Sequence, residues 1–206
     1  MSTERALSQY HVSTWTSDQG LPTQGVNGII QSDEGYVWLA TYEGLFKFNG
    51  INFNSIIPEA SNNSIAVNSF KGLYKEPCGK IWMVANGGGL ISYHQDAWKI
   101  YSTKDGLTSN VVNSFLFNSQ DKLWIGTSKG AVIKKGERFE QVIIDESNRQ
   151  IPINDILEDP KGNLWFATSN GVIKTDGNGK FLEKLTLEDG LYSDNVFSLL
   201  IEPLNG

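Results

Sequence analysis

The sequence predicts an all-β fold, a β-propeller of four-stranded antiparallel blades in an incomplete ring of about four blades plus two terminal strands. Three observations predict it. A tryptophan recurs in one local context at Trp38, Trp82, Trp124 and Trp165, each 41 to 44 residues after the previous one. A glycine follows each tryptophan after six or seven residues, and a turn residue, glycine in three repeats and Asp121 in the other, lies three residues before it. Each repeat contains four short strand-like runs without helical periodicity, which is typical of propeller blades.

The third repeat illustrates how one unit forms a blade. VVNSFLF, KLWIGT, AVIKK and RFEQVII are short runs rich in β-branched, aliphatic and aromatic residues, as strands are. NSQDK and SKG between them have turn chemistry. Polar and apolar residues alternate imperfectly along the strands. This is expected where neighbouring blades cover both faces of a sheet.

The repeat boundaries divide the chain into four complete blades and two terminal strands. They predict, in order, a stray outer strand at 10–16, blades at 26–57, 70–101, 112–143 and 153–187, and the first strand of a further blade at 195–202. Each terminal strand lacks the other three strands of its blade, so we expect the chain to be a piece of a longer propeller. Open strand edges invite association, so the expected partners are the remaining blades or a second copy.

The repeated tryptophans and glycines are interpreted as framework. Each tryptophan is expected to pack between adjacent blades, where its large ring buries much apolar surface. Stacking on a carbohydrate is the weaker alternative for these rings. The glycines that follow the tryptophan strand permit positive φ in the turn between the second and third strands. These glycines are Gly44, Gly89, Gly130 and Gly171.

Composition excludes several classes of protein. The 206 residues are 39% hydrophobic and 11% aromatic, which is too apolar for a disordered chain. No apolar run approaches the roughly 18 residues of a transmembrane helix. The net charge of −6 without a Lys/Arg cluster argues against nucleic acid. The single cysteine, Cys78, cannot form an internal disulfide or a cysteine metal site.

No catalytic residue, metal site or cofactor is predicted. The two histidines, His11 and His94, have no partner at metal-ligand spacing. Gly87-Gly88-Gly89 lacks the Lys-Ser/Thr ending of a phosphate loop. Asp176-Gly177-Asn178-Gly179 lacks the distal glutamate of a calcium loop, so both are expected to be hairpin turns. A carboxylate pair for glycoside hydrolysis remains an open alternative.

The surface expected to bind a ligand is the mouth formed by two sets of loops, those entering each blade and those joining its second and third strands. Function on loops held by a rigid scaffold is the general expectation. The entering loops carry Gln24, Asn62, Asn63, Asn110 and Arg149. The second set carries Tyr42, Glu43, Asn86, Lys129 and Asn170. Their amide, aromatic and charged groups suit an oligosaccharide or another small polar ligand.

The segment DQGLPTQGVNGIIQSDEGYVWLATYEGLFKFNGINF, from Asp18 to Phe53, closely resembles the two-component regulator propeller repeat. The third and fourth units also match its pattern. The second departs, with Glu76-Pro77-Cys78 in place of the usual turn, Ala85 where the other units have threonine, and one inserted residue in Asn86–Gly89.

This resemblance implies a ligand-sensing segment in the periplasmic or extracytoplasmic region of a bacterial receptor. The receptor's histidine kinase or cyclase output would lie outside this chain, which is not itself expected to be an enzyme. No signal peptide is visible in Met1–Gln9. Two alternatives stay open. One is a propeller enzyme of streptogramin-lyase or glycosidase type, since the lyase repeat also contains a phrase similar to Gly162–Phe166. The other is an assembly propeller without a small ligand.

Overall fold

A computed structural model describes residues 12–23, 25–58, 69–145 and 150–202. Within them lie four antiparallel sheets, each of four strands paired in chain order. The prediction of an all-β propeller is confirmed, and the ring is not closed. Among the described residues, no helix has the length and apolar character needed to cross a membrane.

The sixteen strands fall into four blades. The first contains β1 (Val26–Gln31), β2 (Val37–Thr41), β3 (Gly44–Phe48) and β4 (Phe53–Ile56). The second contains β5 (Phe70–Lys75), β6 (Ile81–Ala85), β7 (Gly89–His94) and β8 (Ala97–Tyr101). The third contains β9 (Val112–Phe117), β10 (Leu123–Thr127), β11 (Gly130–Lys135) and β12 (Arg138–Val142). The fourth contains β13 (Ile153–Glu158), β14 (Leu164–Thr168), β15 (Gly171–Thr175) and β16 (Phe181–Leu185). Short 3₁₀ turns occupy Ser17–Gln19, Thr103–Asp105 and Leu187–Asp189.

The hydrophobic core lies between blades rather than inside one sheet. Three clusters fill the three junctions, and each joins the face of one blade to the facing side of the next. Trp38, Trp82 and Trp124 stand at these junctions and are at most 1% exposed. Trp165, at the equivalent position of the fourth blade, is only half-buried because no described blade follows it. Tryptophan burial therefore depends on the neighbouring blade.

The innermost strands of successive blades are joined by side-chain hydrogen bonds to main-chain carbonyls. Asn27 Nδ2 donates to the Phe70 carbonyl at 2.9 Å, and Asn113 Nδ2 donates to that of Ile153 at 3.0 Å. At the same position of the second blade, Lys71 Nζ lies 3.4 Å from the Val112 carbonyl. We call this set, with Asn154 of the fourth blade, the inner polar row.

The two terminal strands predicted at 10–16 and 195–202 are not strands in the described residues 12–16 and 195–202. The physical reason is that, among the described residues, neither segment pairs with another strand of its own blade, so no ladder of main-chain hydrogen bonds forms. Val196 nevertheless occupies the position of a first strand. Its amide donates to the Thr168 carbonyl at 2.9 Å, and its carbonyl accepts from Asn154 Nδ2 at 2.7 Å.

Candidate functional site

The fold brings the two predicted sets of loops to one end of the blades, which we call the mouth. In each blade the first strand starts at the end where the second finishes, because adjacent strands are antiparallel. Main-chain hydrogen bonds tie the sets together. The Asn86 amide donates to the Ser69 carbonyl at 2.9 Å, and the Ser128 amide donates to that of Val111 at 2.9 Å.

Four of the predicted ligand residues present exposed side chains at the mouth. These are Tyr42, Glu43, Asn86 and Lys129. The Tyr42 side chain is 62% exposed, a high value for an aromatic residue. Asn170 is half-buried in the corresponding turn of the fourth blade. Gln24, Asn62, Asn63 and Arg149 lie outside the described residues.

Asn110, also predicted to bind ligand, is engaged within the protein. Its Oδ1 accepts a hydrogen bond from the Thr103 amide at 2.9 Å. Its main-chain carbonyl accepts another from the Gly89 amide at 2.9 Å. Asp194 makes the same pair of bonds in the next repeat, to Leu187 and Gly171. The position therefore fastens the entering loop to the neighbouring turn of the mouth.

A threonine hydroxyl holds each regular mouth turn. Thr127 Oγ1 donates to the Gly130 carbonyl at 2.9 Å and accepts from the Lys129 amide at 3.0 Å. Thr168 makes the corresponding two bonds, as does Thr41. The second blade has Ala85 at this position and a turn one residue longer, which places Gly87 at φ +75°. The threonine is thus a turn element, while the residues between it and the glycine are the variable ones.

The turns at the opposite end of the blades use their acidic and amide residues internally. Asp176 Oδ1 accepts from the Asn178 and Lys180 amides, both at 2.9 Å, so this oxygen already holds its own turn. Asp159 accepts from the Lys161 and Asn163 amides and from Trp165 Nε1. Burial raises the pKa of Asp159, but these hydrogen bonds outweigh burial and hold the pKa at about 2.

The structure places His94 at the end of β7, away from the mouth. Within the described ranges there is no group of three or more histidine, cysteine or acidic residues able to hold a metal ion. His11 lies outside them.

Sequence reasoning missed the inner polar row. A usable signal was present, because Asn27, Asn113 and Asn154 each directly follow the apolar residue that begins a first strand. Lys71 replaces asparagine in the second blade. Its Nζ also lies 3.4 Å from Asn113 Oδ1, which brings a cation close to the inner strands.

Comparisons with known proteins agree with this architecture. The two-component regulator propeller family matches residues 99–129 and 148–170. Histidine kinase P4 of Formosa agariphila is 31% identical in an alignment covering 67% of this chain and 14% of that protein. The extracellular domain of BT3049, assigned as a hybrid two component system of B. thetaiotaomicron, is 22% identical with a TM-score of 0.71, over 84% of this chain and 26% of that one.

An enzyme shares the fold at lower similarity. Virginiamycin B lyase from Staphylococcus aureus, in a catalytically inactive form with quinupristin, is 15% identical with a TM-score of 0.59. That likeness covers 82% of this chain and 59% of the lyase, and it concerns the fold alone.

The chain spans only 14% of the histidine kinase and 26% of the BT3049 domain. The family match therefore shows that the chain carries two-component regulator propeller repeats, matched at residues 99–129 and 148–170.

Proposed function

We propose that this chain is a ligand-sensing propeller segment in the extracytoplasmic region of a two-component-type receptor and is not catalytic. The observation that carries the proposal is the mouth itself. There, side chains that differ from blade to blade stand exposed on turns whose threonine and glycine framework repeats. Variable groups on a fixed scaffold are typical of a recognition surface.

The chemistry of the mouth supports a small polar ligand such as an oligosaccharide. Tyr42 offers an exposed aromatic ring, and Asn86 offers an amide with both donor and acceptor atoms. Glu43 and Lys129 add charges of opposite sign on different blades. A sugar ring presents hydroxyl groups for the polar side chains and an apolar face for the aromatic ring.

The test is a panel of oligosaccharides screened against the chain by thermal shift and on a glycan array. We expect at least one to raise the melting temperature, and Tyr42→Ala combined with Lys129→Ala to abolish the effect. Lys161→Ala, in an exposed turn at the opposite end, is the matched control and should leave the shift unchanged. Loss of binding in the control alone, or binding that survives the double substitution, would contradict a site at the mouth.

Extracytoplasmic placement has a separate test. Cys78 is exposed and is the single cysteine of the chain. In the parent receptor with its other cysteines replaced, a membrane-impermeant maleimide should label Cys78 on intact cells. Labelling only after lysis would refute the placement without bearing on ligand binding.

A further inference from the structure

A second surface with ligand-binding chemistry lies at the end of the blades opposite the mouth. A groove of about 280 Å³ runs between the second and third blades. The turn before β6, the turn joining β7 to β8 and the turn joining β11 to β12 each contribute to its walls. None of the loops that form the mouth takes part, so the groove is independent of the proposed sensing surface.

The floor of the groove carries two hydroxyl groups on nearly buried residues. Ser92 is 3% exposed and Tyr101 is 1% exposed, and both line the groove. Burial raises the pKa of the Tyr101 phenol, and the neighbouring Ser92 side chain acts in the opposite direction. Each of these hydroxyl groups can both donate and accept a hydrogen bond.

The rim is cationic. Lys80 and Lys99 line the groove, and each ammonium lies over an aromatic ring, 4.9 Å from the centre of Trp82 and 5.0 Å from that of Tyr101. Opposing them is one carboxylate, Glu137, which is ion-paired with Lys99. Among the residues that line the groove, two ammonium groups face one carboxylate, although the chain as a whole has a net charge of −6. Two further carboxylates act from beside the groove, Asp105 on Lys99 and Glu76 on Lys134.

A third lysine, Lys134, lies near the other two beside the groove. Burial, and then the positive charge of Lys80, lower the pKa of Lys134. Lys99 contributes to the same repulsion, whereas the carboxylates of Glu137 and Glu76 act in the opposite direction. Three ammonium groups are thus close enough to influence one another. The exposed carboxylate of Glu137 feels all three, since hydrogen bonding to Lys99 and the charges of Lys134 and Lys80 lower its pKa.

We infer that this groove binds an acidic sugar or sugar ester. The anionic group would lie between Lys80 and Lys99 in place of the Glu137 carboxylate, and the sugar hydroxyls would meet Ser92 and Tyr101. The side chain of Glu137 is 73% exposed and stands on a turn, so it can swing away when a competing anion arrives. Gln95, at φ +49° in the β7–β8 turn, adds an amide to the outer wall.

The test is an NMR titration of the ¹⁵N-labelled chain at fixed ionic strength, following the indole signal of Trp82 beneath Lys80. The probes are galacturonate and glucose 6-phosphate, with galactose, glucose and inorganic phosphate as comparisons. We expect the two acidic sugars to bind about fivefold or more tightly than the neutral ones, as the loss of one ion pair of ~1 kcal/mol implies. Inorganic phosphate should bind more weakly than glucose 6-phosphate.

Three substitutions sharpen the test. Lys80→Gln and Lys99→Gln should each weaken binding by about fivefold, whereas Glu137→Gln should tighten it by removing the resident carboxylate. Lys174→Gln is the matched control, because Lys174 also lies over a tryptophan, at 4.6 Å from Trp165, and is paired with Glu183 at 2.8 Å. Equal affinity for neutral sugars, unchanged affinity in Lys80→Gln and Lys99→Gln, or weaker binding in Glu137→Gln would each overturn the proposal. Phosphate binding as tightly as glucose 6-phosphate would overturn the contribution of the hydroxyls.

Discussion

The third and fourth blades have nearly the same repeat sequence but different surroundings. Trp124 is fully buried against Phe166 of the following blade, with ring centres 6.0 Å apart, whereas Trp165 is half-buried. Leu107 at the junction of the second and third blades is 3% exposed, while its counterpart Leu191 is half-buried. The comparison teaches that a repeat residue gains its packing energy from the next blade, not from its own sheet.

Replacing the tryptophans gives the largest expected difference between the two blades. Trp124→Ala should cost about 3–5 kcal/mol of unfolding free energy, because it opens a cavity between two blades. Trp165→Ala should cost roughly 1 kcal/mol, since its ring is already in partial contact with water. Urea unfolding followed by circular dichroism measures both. Similar losses in the two variants would show that the tryptophan acts within its own sheet.

Glycine substitutions probe the same contrast at the loop before a blade. Gly106 and Gly190 both have φ +102°, a left-handed backbone conformation that glycine adopts freely. Alanine at either position should therefore lower the free energy of unfolding by about 1 kcal/mol. At Gly106 the new Cβ would also collide with the Phe139 carbonyl on β12, whereas at Gly190 it meets nothing. Gly106→Ala should therefore lower the melting temperature by several degrees more than Gly190→Ala. An equal decrease would mean that the collision is relieved by movement.

Removing the threonine hydroxyl from a mouth turn should destabilise the third and fourth blades equally, and by less than the loss of Trp124. Thr127→Val and Thr168→Val remove a hydroxyl that both donates and accepts, and each should cost about 1–2 kcal/mol. Serine at either position keeps the hydroxyl and should restore most of the stability. Thermal unfolding of the four variants gives the comparison. A loss confined to one blade would contradict a shared role in the turn.

Acid should weaken the fourth blade slightly through Asp159. Its folded-state pKa of about 2 lies below the ordinary value of 3.8, so its stabilising effect is complete above roughly pH 4 and is lost as the pH falls through 2. Asp159→Asn should reduce the pH dependence of stability between pH 4 and 2. The indole signal of Trp165, whose Nε1 donates to Asp159 at 3.0 Å, reports the local change. An unaltered acid profile in the variant would refute the assignment.

Much of the fold could be predicted from sequence because the same pattern of strand and turn residues recurs in four repeats, so each repeat supports the interpretation of the others. Turn glycines such as Gly130 and strand residues such as Trp124 recur with their neighbours, so local propensity and spacing agree. The terminal segments match the repeat in sequence, yet the described residues 12–16 and 195–202 are not strands, because no strand of their own blades pairs with them among the described residues. Strand formation needs that partner, and a match in sequence does not supply it.

The candidate site could be predicted only in outline. The repeat spacing placed Tyr42 and Lys129 in mouth turns. It could not show that Asn110 Oδ1 already accepts a hydrogen bond from the Thr103 amide. The groove of Lys80 and Lys99 escaped because its residues come from separate turns of two blades. Their proximity depends on how the blades pack, and no local pattern in the chain encodes that relation.

The contacts of residues 196–199 bear on the order in which blades form. The amide and carbonyl of Val196 are both bonded to the fourth blade, and Asp155 Oδ2 accepts from the Ser198 hydroxyl and the Leu199 amide, each at 3.0 Å. The fourth blade alone holds this segment, since no strand of a fifth sheet lies among the described residues. Because domains emerge N-terminal end first during synthesis, each finished blade can fix the starting position of the next. Propeller growth would then be templated in one direction, from the N-terminal blade towards the C-terminal end.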